Sequence, residues 1–210
     1  SDFLEVFSAL VDKSMVLSED RDGQERYRFM VTLHEYAAKR LSETSETEAI
    51  RRRHAEFFVS LVEGSEEQMK GPAQREVAEQ LTEEYDNIRS VMNWSLRNEP
   101  EKGLRVAGVL GAFWYQHSSH FDETRRWLEE LFEKDGLIEP SGPRAAALDS
   151  AGLVALAQGD YTSSSSFFDK ALTFWRRLDD KRGMARTINH RGNLAYFQGH
   201  YERAGASYEE

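Results

Sequence analysis

The sequence predicts a mainly α protein: a short helix, β-hairpin, helix segment followed by a superhelical array of antiparallel helix pairs. Three observations carry this. "AQGDYTSSSSFFDKAL" (157–172) recurs as "FQGHYERAGASYEE" (197–210), with Gly159 and Tyr161 forty residues before Gly199 and Tyr201, and a fixed spacing points to repeat architecture. Apolar residues recur at three- and four-residue intervals from about position 47 onward. Near the start, Asp22-Gly23 stands between alternating apolar residues, a tight-hairpin signal.

The elements follow in order. Phe3, Leu4, Phe7, Leu10 and Val11 have helical spacing over residues 3–14. "MVLSED" then alternates, with Met15 and Leu17 expected inward, and Tyr27 and Phe29 alternate on the returning strand. Thr32 and Glu35 have capping-box spacing and are expected to start a helix that aligns Leu33, Tyr36, Ala37, Arg40 and Leu41. After the polar connector 42–48, a helix carries Ile50, Phe57, Phe58 and Leu61. Gly71-Pro72 is expected to open the next, broken near Tyr85-Asp86, and a further helix runs to Asn98. Residues 101–118 and 122–134 form another pair, and "DGLIEPSGP" is the clearest internal joint. The expected domains are a partial winged helix over 1–44, a helical linker with degenerate helix pairs over 49–134, and repeats over 144–210, the last truncated.

Composition narrows the function. A chain of 210 residues can bury roughly 70% of its unfolded surface, enough for a sizeable core. There is no cysteine, which removes disulfides, thiolate metal sites and cysteine nucleophiles. No apolar run approaches a membrane span and no signal peptide is visible, so a cytoplasmic protein without membrane partners is expected. The chain opens without Met and stops inside a repeat, and is therefore read as a piece of something longer. Its net charge of −10 disfavours nonspecific nucleic-acid binding.

Setting Phe121, Tyr161 and Tyr201 in register yields three copies. Leu128, Phe168 and Tyr208 are large, Thr124, Ser164 and Ala204 are small, and Ala112, Gly152 and Gly192 stand nine residues before each aromatic. The small residue of the first helix is expected to meet the small residue of the second, with the large ones filling the space where the helices splay. On this reading Ser164 is a contact residue, and Ser163, Ser165 and Ser166 form a solvated face.

This pattern resembles the tetratricopeptide repeat (TPR), through Gly152, Gly159, Tyr161, Ser164, Phe168 and Ala171, and again through Gly192, Gly199, Tyr201, Ala204 and Tyr208. The forty-residue spacing departs from the usual 34. The resemblance implies a concave groove lined or bordered by Arg186, Asn189, His190, Asn193 and Tyr196, then by Asp149, Leu153 and Leu156, then by Phe113 and Gln116. Asn193 stands where many peptide-binding members carry an asparagine that holds ligand backbone. A groove with polar donors at one end and Leu and Phe at the other suits an extended peptide or a helix. A solvated inner wall that binds nothing is the alternative.

Other chemistry finds little support. No glycine-rich phosphate loop, GxSxG or HExxH occurs, so no catalytic residue and no cofactor are expected. His117 and His120 lie three residues apart and could be joined by His200 or Asp122 as metal ligands, but His120 and His200 occupy the same variable turn position of different repeats, so no shared metal is expected. Arg51, Arg52 and Arg53, with Arg21, Arg26 and Arg28 of the hairpin, invite a winged-helix DNA reading. Yet residues 1–60 hold nine Lys/Arg against twelve Asp/Glu, and the helix that would enter the groove carries Asp2, Glu5 and Asp12 with only Lys13 opposing.

The order "FSALVDKSMV", hairpin, "YRFMVTLHEYAAKRL", "RRRHAEFF", "EEYDNIRSVMNWSL", repeats resembles the region after the nucleotide-binding domain of bacterial STAND-class signal-transduction ATPases, including LuxR-like and antibiotic-regulatory transcriptional regulators. The resemblance implies a noncatalytic regulatory arm: the winged helix packs on the nucleotide domain, and the repeats receive a protein partner or inducer. The Met-His-Asp motif of the plant-resistance branch is not matched, since Phe29, Met30 and Val31 stand there and His34 lies a turn later, so no nucleotide-sensing residue is named. The rival readings are an autonomous peptide-binding scaffold and a DNA-binding winged helix. Self-association through the last repeat is also expected.

Overall fold

A computed structural model describes residues 3–21, 24–117, 120–136 and 139–209. It divides into two compact units, residues 1–52 and 53–210. The hairpin turn signal at Asp22-Gly23 and the charge at Asp2 lie outside the described residues.

The first unit contains helix α1 (Phe3–Asp12), strands β1 (Val16–Arg21) and β2 (Gln24–Phe29), and helix α2 (Val31–Ser42). The strands are antiparallel, with Val16 opposite Phe29 and Ser18 opposite Tyr27. Directly paired residues share a sheet face, so Val16, and not Met15 or Leu17, lies with the two aromatics. Val16 is buried while Met15 is exposed, a phase reversed from the expected one. In a continuous apolar run such as Met15-Val16-Leu17 the alternation has no internal marker, and pairing decides it. The face is completed by Phe7, whose ring meets Tyr27 edge-on at 4.7 Å. Helix α2 begins at Val31, one residue before Thr32, with Met30 extended at the N-cap and no side-chain cap bond; the expected capping box does not form. Val16 is the only buried apolar residue of this unit among the described residues, and Phe3, Leu4 and Tyr36 are each more than 60% exposed.

The second unit is entirely helical among its described residues. Helix α3 (Thr47–Ser65) crosses the division and supplies Ala55, Phe58, Val59 and Val62 to the core. A single 3₁₀ turn (Gln68–Lys70) follows, then α4 (Gln74–Glu83), α5 (Tyr85–Asn98), α6 (Pro100–His117), α7 (Phe121–Asp135), α8 (Gly142–Ala157), α9 (Tyr161–Leu178), α10 (Lys181–Phe197) and α11 (Tyr201–Glu209). Gly71-Pro72 lies in the turn ahead of α4 and not within its first turn. The later helix starts are capped from the side chain: Ser141, Asp160 and Asp180 accept from the backbone N–H groups of Arg144, Ser163 and Gly183, each satisfying a donor that the helix itself leaves orphaned.

Trp114, Trp127 and Phe168 are fully buried, and burying rings of this size contributes roughly 3 kcal/mol each by area. The Trp127 indole N–H keeps a partner, donating to Asn93 Oδ1 at 3.1 Å. Helix α8 sits at the centre, packed against α6 on one side and α9 on the other. Eleven of its sixteen residues are buried, so it has almost no solvent face.

The small residues work differently from expectation. The Ser164 hydroxyl does reach Gly152, donating to its carbonyl at 2.9 Å. What Gly152 makes room for, however, is the Phe168 ring: a Cβ there would lie 2.3 Å from Phe168 Cε1. Gly192 does the same for Tyr208, at 2.5 Å. Small also meets small between repeats, where Gly108 faces Ala146 and Gly111 faces Ser150 across α6 and α8. Ala112, aligned with Gly152 and Gly192, is exposed. Of the serine run, Ser164 is buried, Ser166 exposed, and Ser163 and Ser165 half-buried.

Candidate functional site

A cleft of about 730 Å³ runs across the second unit. One wall is the end of α3 and the turn behind it, with Glu63, Glu66, Glu67 and Lys70; the opposite wall is the first half of α10, with Arg182, Gly183 and Arg186; Gly108, Val109, Pro143 and Ala146 of α6 and α8 lie between. It continues into a recess of about 190 Å³ bordered by Met69, Ala112, Asp149, Leu153 and His190.

The centre is Asp149, a carboxylate only 3% exposed. Burying an unpaired carboxylate is prohibitive, and α10 supplies the partners. His190 Nδ1 lies 3.1 Å from Asp149 Oδ1, and Arg186 Nε lies 3.3 Å from Oδ2, close enough for charge attraction though not aligned for a hydrogen bond. The Arg186 guanidinium also lies 5.7 Å over the Trp175 ring, and its NH1 faces Glu66 Oε1 at 3.6 Å. Glu66 and Arg186 are 120 positions apart in sequence, so this ion pair joins the turn after α3 to α10.

The acidic wall is organised by Lys70, which donates to Glu66 and Glu67. Burial works to lower the Lys70 ammonium's pKa, but the hydrogen bonds to Glu67 and Glu66 outweigh it and hold the value above the usual one. Glu67 is held below the usual glutamate value by the Lys70 hydrogen bond first and its charge second, with a contribution from Arg182 across the cleft. Deeper in, Arg105 grips Glu63 with two hydrogen bonds of 2.6 Å.

Of the ten residues expected at a groove, the structure brings together Asp149, Arg186 and His190, with Leu153 at the edge of the recess. Phe113 and Leu156 are 4% and 5% exposed and belong to the core. Gln116 lies in a separate hollow and accepts from Gln74. Asn189 is exposed. Asn193 accepts a 2.7 Å hydrogen bond from the Tyr208 hydroxyl, so its carbonyl is committed to α11. Tyr196 is exposed and packs edge-on against Phe197 and Tyr201. Glu66, Lys70, Arg182 and Trp175 were not expected here. The one sequence signal for them is that α10 carries Lys181, Arg182, Arg186 and Arg191 and no acidic residue, in a chain of net charge −10.

The paired helices, the left-handed glycines between them and the notch under Phe168 and Tyr208 have a family counterpart. Residues 143–210 match the tetratricopeptide repeat family. Relatives in Mycobacterium tuberculosis and Mycobacterium bovis, each named "Putative HTH-type transcriptional regulator", are 28% identical over 193 residues, covering 88% of this chain and 22% of theirs. The chain thus spans about a fifth of the length of the curated relatives it matches. Among the described residues no helix is long and apolar enough to cross a membrane.

Proposed function

We propose that this chain is the noncatalytic sensing and coupling segment of a STAND-type transcriptional regulator, receiving a protein partner or inducer in the cleft and passing that event to a nucleotide-binding domain outside residues 1–210. The observation that carries the reading is the construction of the cleft. Its two walls come from residues 63–70 and 180–186, opposite ends of the helical array, so an occupant contacting both changes the free energy of one array shape relative to another. Differential binding of this kind is what shifts a conformational equilibrium. The tetratricopeptide match and the names of the longer relatives support a regulatory scaffold. The first unit supports coupling, because its exposed Phe3, Leu4 and Tyr36 give it an apolar surface to dock on a neighbouring domain.

The test uses the longer protein. Its nucleotide turnover should change when the partner is added, and Arg186→Gln should weaken that response while leaving basal turnover intact. A parent polypeptide with no phosphate-binding loop, or turnover indifferent to a bound partner, would overturn the reading.

A second reading, an autonomous peptide-binding scaffold, is favoured by the completeness of the cleft within residues 63–190. It requires no coupling, and the isolated second unit would then bind as tightly as the whole protein. Self-association is supported by the exposed cluster Tyr196, Phe197 and Tyr201; sedimentation of the chain as a monomer at high concentration would dispose of it.

A further inference from the structure

Helix α10 is the basic element of an acidic chain, with four Lys/Arg and no Asp/Glu. Arg182, Arg186 and His190 are spaced at four residues and share one helix face, and all three border the cleft or its recess. Glu66 and Glu67 of the turn after α3 stand opposite this stripe. Glu66 pairs with Arg186 at 3.6 Å, and Glu67 feels the charge of Arg182.

We infer that the stripe is a recognition surface for acidic peptides, and that the turn Glu66–Lys70 is an internal competitor holding the place of the ligand's carboxylates. The inference rests on the reading that the cleft receives a partner, and adds the partner's chemistry and the device that masks its site. The chemistry is argued from what occupies the stripe: peptide carboxylates, not phosphates, are the groups this surface already accommodates. The masking is weak by construction. Glu66 and Arg186 are 40% and 32% exposed, and ion pairs so exposed are readily displaced. Asp149, by contrast, is buried behind Arg186 and keeps the guanidinium in position when the turn leaves. Arg186 therefore turns from an intramolecular partner to an external one without having to be rebuilt.

The probe is a fluorescein-labelled peptide of residues 60–72, SLVEGSEEQMKGP, beside a version with each Glu replaced by Gln, and the readout is fluorescence anisotropy with the full chain. The unaltered chain should bind the acidic probe weakly. The Glu66→Gln, Glu67→Gln double variant should bind it about two- to threefold tighter, because the competing Glu66–Arg186 ion pair is gone. Adding Arg182→Gln and Arg186→Gln should abolish the gain, and raised salt should erode it. Should the Arg186 variant fold poorly, Arg182→Gln alone, at an exposed position, still has to lower the gain. Equal binding of the Glu and Gln probes, or no tightening on removing the turn's carboxylates, would overturn the inference. So would a Glu66→Gln, Glu67→Gln variant that gains affinity for duplex DNA in place of the acidic probe. If neutral or basic peptides from a random library occupy the cleft while acidic ones do not, the acidic assignment falls and the partner reading survives. If no peptide of any composition binds, both fall.

Discussion

The Ser164 hydroxyl donates to the Gly152 carbonyl at 2.9 Å, and one turn further along α9 the Phe168 ring lies where a Gly152 side chain would be. The two contacts lock α8 to α9 at a separation set by backbone against ring. Gly152→Ala places a methyl 2.3 Å from Cε1 of a ring that is fully buried and cannot swing away. Alanine gains about 1 kcal/mol of helix propensity over glycine, while overpacking costs about 1–3 kcal/mol, so a net loss of up to about 2 kcal/mol is expected by chemical denaturation. Phe168→Leu vacates the space, and the double variant should be less destabilised than the sum of the two single ones.

Gly159 responds differently. Its φ is +75° and no atom lies within 4 Å of an added Cβ, so Gly159→Ala is opposed by backbone strain of about 1–2 kcal/mol alone. No neighbouring substitution should rescue it. The same holds at Gly199, φ +79°, and a thermal melt of Gly159→Ala combined with Phe168→Leu should show plain additivity.

These two glycines also mark what a sequence can disclose. The forty-residue register put Gly159 in a turn and Gly152 on a helix beside the next one, since both follow from periodicity. Which side chain fills the notch did not follow, because periodicity places residues on a face without saying which partner is nearest. Phe113 and Leu156 were assigned to the groove for a related reason. Helix α8 and the inner half of α6 are covered on nearly every side, and in such helices inner wall and core share one apolar pattern. Asp149 broke that pattern and was the informative position. Glu66 could not be seen, since its pairing with Arg186 depends on the curvature of the whole array. The phase of β1 was misassigned because three consecutive apolar residues fit either face.

Asp149→Ala should cost about 1–3 kcal/mol, as two α10 side chains lose the group that compensates them. The contrast with Glu66 is the sharper measurement. In double-mutant cycles with Arg186→Gln, the coupling to the buried Asp149 should be about 1 kcal/mol or more, and that to the exposed Glu66 below about 0.5 kcal/mol. Equal couplings would mean that the two carboxylates hold Arg186 alike.

Arg105 and Glu63 make the most regular ion pair of the cleft, with two hydrogen bonds of 2.6 Å, yet their side chains are 39% and 34% exposed. Solvent screening should win over geometry. The coupling between Arg105→Gln and Glu63→Gln is expected to stay below about 1 kcal/mol and to shrink with added salt. Arg105→Lys, which cannot make the paired contact, should behave almost like Arg105→Gln.

Asp160 gives the array an acid-sensitive joint. Its carboxylate caps α9 by accepting from the Ser163 N–H at 3.0 Å, and it meets Arg125 Nη1 at 3.2 Å. The Ser163 backbone bond first, the Ser163 side chain next and Arg125 after burial's opposing effect hold its pKa below the ordinary 3.8. A carboxylate depressed in the folded state contributes stability that is fully present above its unfolded value and is lost as pH falls through the folded value. Asp160→Asn keeps a cap-forming oxygen but removes the charge. The variant should therefore melt below the parent at neutral pH, and the gap between the two melting temperatures should close as pH falls below the ordinary 3.8. A gap that persists unchanged at lower pH would show that cap geometry, and not the charge felt by Ser163 and Arg125, accounts for the contribution of Asp160.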